Sequence, residues 1–223
     1  MKSALPLQEQ IIMKSALPLQ EQIIMKGAPL PQMWLLMILR GGFSVPFIII
    51  YRKENMDKLN FYTADLKYVR YLQKSEQEQR GFSRIPNLAY GDKYKQKFLC
   101  GIVLQVNEID YYVPVTSYKQ QKPDNFLIYA DNGQAVSSLR FNYMFPIPKD
   151  LVSVRVIADE SDLAYRSLLA QELRYCIKNQ SVIQNLAERT YKRVLLGKNP
   201  GLVANSCDFK FLEQKCIEYA AIL

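Results

Sequence analysis

The chain has 223 residues, a net charge of +8 and a pI near 9.2. That is enough length for one well-packed domain with extra segments, and a balance that favours an anionic partner such as nucleic acid or a membrane surface. Histidine is absent, which excludes a Ser-His-Asp triad, a Cys-His pair, a His-pair ribonuclease and every His-containing zinc site.

Residues 1–12 recur without change as residues 13–24, and a third copy starts at Met25 and decays within a few residues. Complete identity at so short a period is unlike a structural repeat, whose units drift and run longer. It reads as a repeat imposed on the DNA. The apolar run from Met33 to Tyr51 is about as long as a membrane span, but Arg40, Gly41-Gly42 and Pro46 interrupt it. It carries no convincing signal-peptide cleavage site; a membrane anchor is the alternative reading of this run, and no stable membrane association is expected. Lys53-Glu54 can be encoded by a purine-rich ribosome-binding sequence just ahead of Met56. Residues 1–55 are therefore expected to be a spurious or disordered extension, and 56–223 the working domain. Residues 1–56 carry six Lys/Arg and three Asp/Glu, which leaves +5 on the rest.

Residues 59–63 predict a first strand, and 64–72 a short helix bearing Tyr68, Tyr71 and Leu72. Residues 73–97 are polar, with Gly81, Pro86 and Gly91, and predict a long surface loop. Strands are predicted at 98–107, 111–116, 126–130 and 136–145 from their Val, Ile, Leu, Phe and Tyr content. Asn107 to Asp110 is a polar turn, and Asp131-Asn132-Gly133 a hairpin turn. Pro146-Ile147-Pro148 is expected to end the sheet. Ser161 or Asp162 caps a helix with Tyr165, Leu168, Leu169, Leu173, Cys176 and Ile177 on its apolar face. A second helix over 181–196 has Val182, Ile183, Leu186, Val194 and Leu195 as core and stops at Gly197. Lys198 to Gly201 is a turn, and Asp208 caps a last helix to about Ala221. The fold class is α+β: a small, mostly antiparallel sheet or barrel, then C-terminal helices. The four cysteines form no C-x-x-C pair, as suits reduced structural thiols in a cytoplasm.

The strand ending at 116 runs into Thr116-Ser117-Tyr118-Lys119. Two hydroxyls and an ammonium at a sheet rim suit a phosphate; the plain alternative is a polar turn with a solvated lysine. Tyr90, Tyr94, Tyr111, Tyr112 and Tyr118 interleave with Lys93, Lys95, Lys97, Lys119 and Lys122. Single-stranded RNA is bound by such mixtures, through stacking and phosphate contacts. Arg189, Lys192, Arg193 and Lys198 form a second phosphate-binding patch or simply complement a helix dipole.

Phe61-Tyr62-Thr63, Tyr68, Gly101-Ile102-Val103-Leu104, Val115-Thr116-Ser117-Tyr118-Lys119 and the segment Leu139-Arg140-Phe141-Asn142-Tyr143-Met144-Phe145-Pro146-Ile147-Pro148 occur in that order. The series resembles the ToxN/AbiQ family, endoribonuclease toxins of type III toxin–antitoxin systems, over residues 59–196. The resemblance implies a barrel-like fold akin to the Kid/MazF toxins. It implies cleavage of single-stranded RNA in a bacterial cytoplasm, with no metal and no cofactor, leaving a 2′,3′-cyclic phosphate. The implied partners are a target mRNA and a structured tandem-repeat antitoxin RNA that assembles the toxin into rings; the implied role is phage defence by abortive infection. Catalytic roles fall on Tyr68, Lys97, Thr116, Ser117 and Lys119. RNA contacts fall on Tyr118, Lys122, Lys93, Lys95, Arg189, Lys192 and Arg193.

Attack by the RNA's own 2′-hydroxyl needs no protein nucleophile and no metal. It needs alignment, a proton acceptor and charge stabilisation at the phosphorane. Lys97 and Lys119 suit the charge, and Thr116 and Ser117 the non-bridging oxygens. The acid–base role stays open among Tyr68, a lysine of lowered pKa and the RNA itself. The same basic, aromatic surface would also serve a non-catalytic RNA-binding regulator. Intact mass or N-terminal sequencing of the native protein is expected to give a chain beginning at Met56 or Asp57. A mature chain beginning at Met1 refutes the reading of residues 1–55.

Overall fold

The computed structural model describes residues 57–89 and 96–223. The repeat, the apolar run, the Met56 start and residues Lys93 and Lys95 lie outside the described residues. The described chain opens with β1 (Asn60–Ala64). Asp65 then caps α1 (Leu66–Arg80), its carboxylate accepting from the Lys67 and Tyr68 amides. The helix thus runs well past residue 72, into the predicted loop. Residues 73–80 are polar, but Gln, Lys, Glu and Arg are good helix formers. Lys74–Glu78 and Glu76–Arg80 pair one turn apart, and Gly81 at φ 78° stops the helix.

Glu76 is fully buried on this helix. It accepts from Arg80 Nη1 and Ser83 Oγ, both at 2.8 Å, and from the amides of Arg84 (2.7 Å) and Asp208 (2.9 Å). One carboxylate therefore ties the helix end to the segment after it and to a segment over a hundred residues on.

β2 (Leu99–Val106) and β3 (Ile109–Thr116) form an antiparallel hairpin. Its turn takes only Asn107 and Glu108, both at positive φ, so Ile109 and Asp110 belong to the strand. β4 (Asn125–Tyr129) and β5 (Ala135–Arg140) make a second hairpin through Asp131-Asn132-Gly133. The second strand ends at Arg140 rather than 145, because Phe141–Tyr143 turns as a short 3-10 helix and buries Phe141 and Asn142. Nor does Pro146 end the sheet. β6 (Phe145–Pro146) is a two-residue stub, where proline is tolerated, that pairs with Tyr111 and Tyr112. β7 (Val152–Val154) then pairs with β1. The strand order is β4-β5-β3-β2-β1-β7, with β6 also on β3 and every ladder antiparallel. Among the described residues no ladder joins β4 to β7, so the strands form an open sheet.

Asp162 caps α2 (Leu163–Lys178), and Gly197 ends α3 (Gln180–Leu196) in the left-handed conformation. α2 buries Leu169, Glu172 and Cys176; α3 buries Ile183, Ala187, Thr190 and Tyr191. Ile177 and Val182, expected in the core, sit one step off these spacings and are exposed. Residues 198–201 are more than a turn: Asn199 caps α4 (Pro200–Ala204), with Pro200 at its first position. Asp208 caps α5 (Phe209–Ala220), as expected. α5 packs on α1 and β6, α3 on β2, and α2 on β4. No described helix is long and apolar enough to cross a membrane.

Glu76→Ala takes the carboxylate from the Arg80 guanidinium and the acceptor from the Ser83 hydroxyl and two amides. The expected loss is about 3–5 kcal/mol of stability, read by urea unfolding, and Glu76→Gln is expected to lose less.

Candidate active site

β3 ends at Thr116, between two diverging neighbours. On one side Leu99 pairs with Pro114 and the Val115 amide donates to Phe98 O, so the same register sets Lys97 opposite Thr116. On the other side Val115 and Thr116 pair with Leu139 and Ser138 of β5. Thr116 Oγ1 lies 3.3 Å from Ser138 Oγ, and the Tyr118 amide donates to Thr116 Oγ1 at 3.4 Å. Ser138 Oγ donates to Tyr118 O at 2.6 Å. These bonds fold residues 116–118 back over β5 and leave Ser117 and Lys119 exposed. Lys97 Nζ donates to Asn87 O at 3.0 Å.

The loop that follows is held from below by Asn125, which is buried at the start of β4. Its Oδ1 accepts from the Lys122 amide (2.8 Å) and Gln121 Nε2 (3.0 Å), and its Nδ2 donates to Gln120 O (2.9 Å). Arg189 of α3 reaches the same loop, Nη2 donating to Pro123 O at 3.4 Å. Arg193 stands one turn further along α3, and Lys192 pairs with Glu188 at 2.6 Å. Thr116, Ser117, Tyr118, Lys119, Lys122, Lys97 and Arg189 are thus brought to one end of the sheet.

Tyr68 is not among them. It is fully buried, and its hydroxyl donates to Pro146 O at 2.9 Å. Pro146 pairs with Tyr111, five residues before Thr116 on β3. Burial pushes the phenol well above the ordinary tyrosine range, so it stays protonated and cannot accept a proton near neutral pH. In this geometry Tyr68 anchors β6 from within the core and stands apart from the strand-end cluster.

Four residues escaped the sequence reading: Asn125, Ser138, Arg140 and Tyr143. The Arg140 guanidinium carbon stands 5.2 Å from the Tyr118 ring centre and 4.4 Å from that of Tyr143. A continuous strand over 136–145 would send residues 140 and 143 to opposite faces. The 3-10 turn brings them to the same side. Both lie in a segment that carried the family resemblance, which was the one available signal. Among the described residues no group of three or more Asp, Glu or Cys side chains is placed to hold a metal ion.

The family profile described as toxin ToxN of type III toxin–antitoxin systems matches residues 60–216, and the chain belongs to that family. It is similar to the endoribonuclease ToxN of Bacillus thuringiensis subsp. kurstaki, with 26% identity over 175 residues, 74% of this chain and 86% of that protein. The endoribonuclease AbiQ of Lactococcus lactis subsp. lactis is 24% identical over 175 residues, 73% of this chain and 90% of that protein. Solved structures share the fold. One, from work on selective inhibition of a type III toxin by a non-coding RNA pseudoknot, has a TM-score of 0.65 at 24% identity, covering 74% of this chain and 99% of that one. AbiQ, described as a lactococcal anti-phage endoribonuclease, has a TM-score of 0.63 at 22% identity, again covering 74% and 99%.

Asn125→Ala removes the side chain that organises residues 120–122. The expected outcome is a loss of about 1–3 kcal/mol and faster hydrogen exchange at the Lys122 amide, with exchange in the β2–β3 ladder little changed.

Proposed function

We propose that this chain is an endoribonuclease toxin that cleaves single-stranded RNA without a metal ion. The 2′-hydroxyl attacks the adjacent phosphorus, the 5′-oxygen leaves, and a 2′,3′-cyclic phosphate remains. The observation that carries this reading is that β3 leaves the core at Thr116 and bends so that Ser117 and Lys119 are exposed, with Lys97 just ahead of the paired strand β2. Hydroxyl donors and ammonium groups placed on a rigid strand end suit a phosphorane whose charge grows during the reaction. Lys122, Arg189 and Arg193 continue the positive surface along which an RNA backbone can run, and Tyr118 offers a ring for stacking. We also assign RNA contacts to Lys93 and Lys95, which precede Lys97 in the sequence. Relatives named endoribonucleases support the activity, and a structural neighbour inhibited by an RNA pseudoknot supports an RNA antitoxin as partner. We assign a structured repeat RNA to that role, with ring assembly, an mRNA target and a cytoplasmic site of action. Residues 56–223 are the toxin.

The test is cleavage of a single-stranded RNA by the purified full chain. Wild-type activity is expected to persist in excess EDTA and to weaken as salt rises. Lys119→Ala or Ser117→Ala, still folded, should lose about 3–4 kcal/mol of transition-state stabilisation, on the order of 10²–10³ in rate. Activity lost in EDTA and restored by magnesium or manganese overturns the metal-free mechanism. Binding without cleavage by the wild type makes the protein an RNA-binding regulator instead. Lys119→Ala cleaving at the wild-type rate removes Lys119 from the site.

A further inference from the structure

We propose that Arg140 holds a backbone phosphate of the bound RNA next to the reacting one, an assignment that rests on the nuclease reading above. Arg140 ends β5 two residues after Ser138, so both stand on one face of the strand. Ser138 is the residue that binds Thr116 and Tyr118. Arg140 is therefore built into the turn that presents Ser117 and Lys119.

Its guanidinium has an unusual set of neighbours. Tyr118 and Tyr143 supply aromatic rings, but no carboxylate pairs with it among the described residues, and its buried Nε has no hydrogen-bond partner. Arg80 and Arg155, which are comparably sheltered, each pair with a glutamate, at 2.8 and 2.9 Å. A half-buried cation with no carboxylate beside it costs free energy that an anion bound at its Nη groups would recover. In an RNA site that anion is a phosphate. The two rings hold the guanidinium, leaving its N–H edge to bind the ligand. That edge matches two phosphate oxygens in a way an ammonium cannot.

A purely structural role is the competing account: Arg140 would only brace Tyr118 against Tyr143. Salt dependence separates the two, because each phosphate contact on a single strand contributes about 0.7 to the slope of log K against log salt. The probe is a single-stranded oligonucleotide with 2′-O-methyl riboses, which binds but lacks the attacking hydroxyl. The full chain and its Arg140→Gln and Arg140→Lys variants are titrated across salt, with thermal unfolding as the folding control.

Folded Arg140→Gln is expected to bind on the order of 10–100-fold more weakly at low salt, with a slope shallower by about 0.7. Arg140→Lys should keep the wild-type slope but bind several-fold more weakly, since the charge stays and the fork is lost. A wild-type slope in Arg140→Gln overturns the phosphate contact, even if affinity falls. Should Arg140→Gln fail to fold, wild-type affinity in Arg140→Lys overturns it. Failure of the nuclease reading looks different: the wild type then binds the methylated strand yet leaves its ribose counterpart uncut, while the slopes still test Arg140.

Discussion

The burial of β3 is the constraint on which the rest of this structure depends. Every residue from Asp110 to Val115 is buried, and the strand pairs with β2 on one side and with β6 and β5 on the other. A slip of one residue would reverse the faces of all these side chains at once, so the register is strongly determined. Tyr111 shows how the core locks it: its hydroxyl donates to the buried Glu213, which also accepts from Tyr191. On the neighbouring strand a Cβ at Gly101 would lie 2.3 Å from Tyr112 Cδ1, so only glycine lets β2 cross that ring. Thr116, the first residue of β3 to emerge from the core, inherits its position from these contacts.

That inheritance matters for the proposed chemistry. A reaction in which the substrate supplies its own nucleophile asks the protein mainly for placement. The donors here stand at the end of a packed strand, and their loop has its backbone groups bound by Asn125 and Ser138. Such a loop loses little freedom when a ligand arrives. In the proposed mechanism the lysines bring charge on flexible stems, while Thr116 brings geometry.

Local chemistry made much of this legible in advance. Asp162, Asp208 and Gly197 act as the caps and stop that their residue types suggest. The Thr116 to Lys119 turn follows a strand because Val, Tyr and Ile crowd the residues before it. What escaped depends on pairing across the chain. The end of β3 lies beside the start of β2 through a ladder whose register shifts between Cys100 and Leu104, an irregularity that no spacing rule announces. Arg140 meets Tyr118 only because β5 pairs with β3 and the chain turns at Phe141. Residues 73–80 looked like a loop because a charged, polar run hides its two buried members, Ser75 and Glu76.

Tyr68 is the case in which pattern and physics part. A tyrosine in a series that resembles a nuclease family invites a chemical role, since its phenol can donate, accept and titrate. Burial takes away the titration, and the hydroxyl is committed to Pro146 O. Both residues belong to the series that carried the resemblance, and they touch each other. Their contact holds β6 against Tyr111 and Tyr112, and so helps fix the strand from which Thr116 emerges. One part of the series therefore builds the support and another, Thr116 to Lys119, stands on it. Shared motifs locate a fold as much as a reaction, and only burial and hydrogen-bond partners tell the two apart.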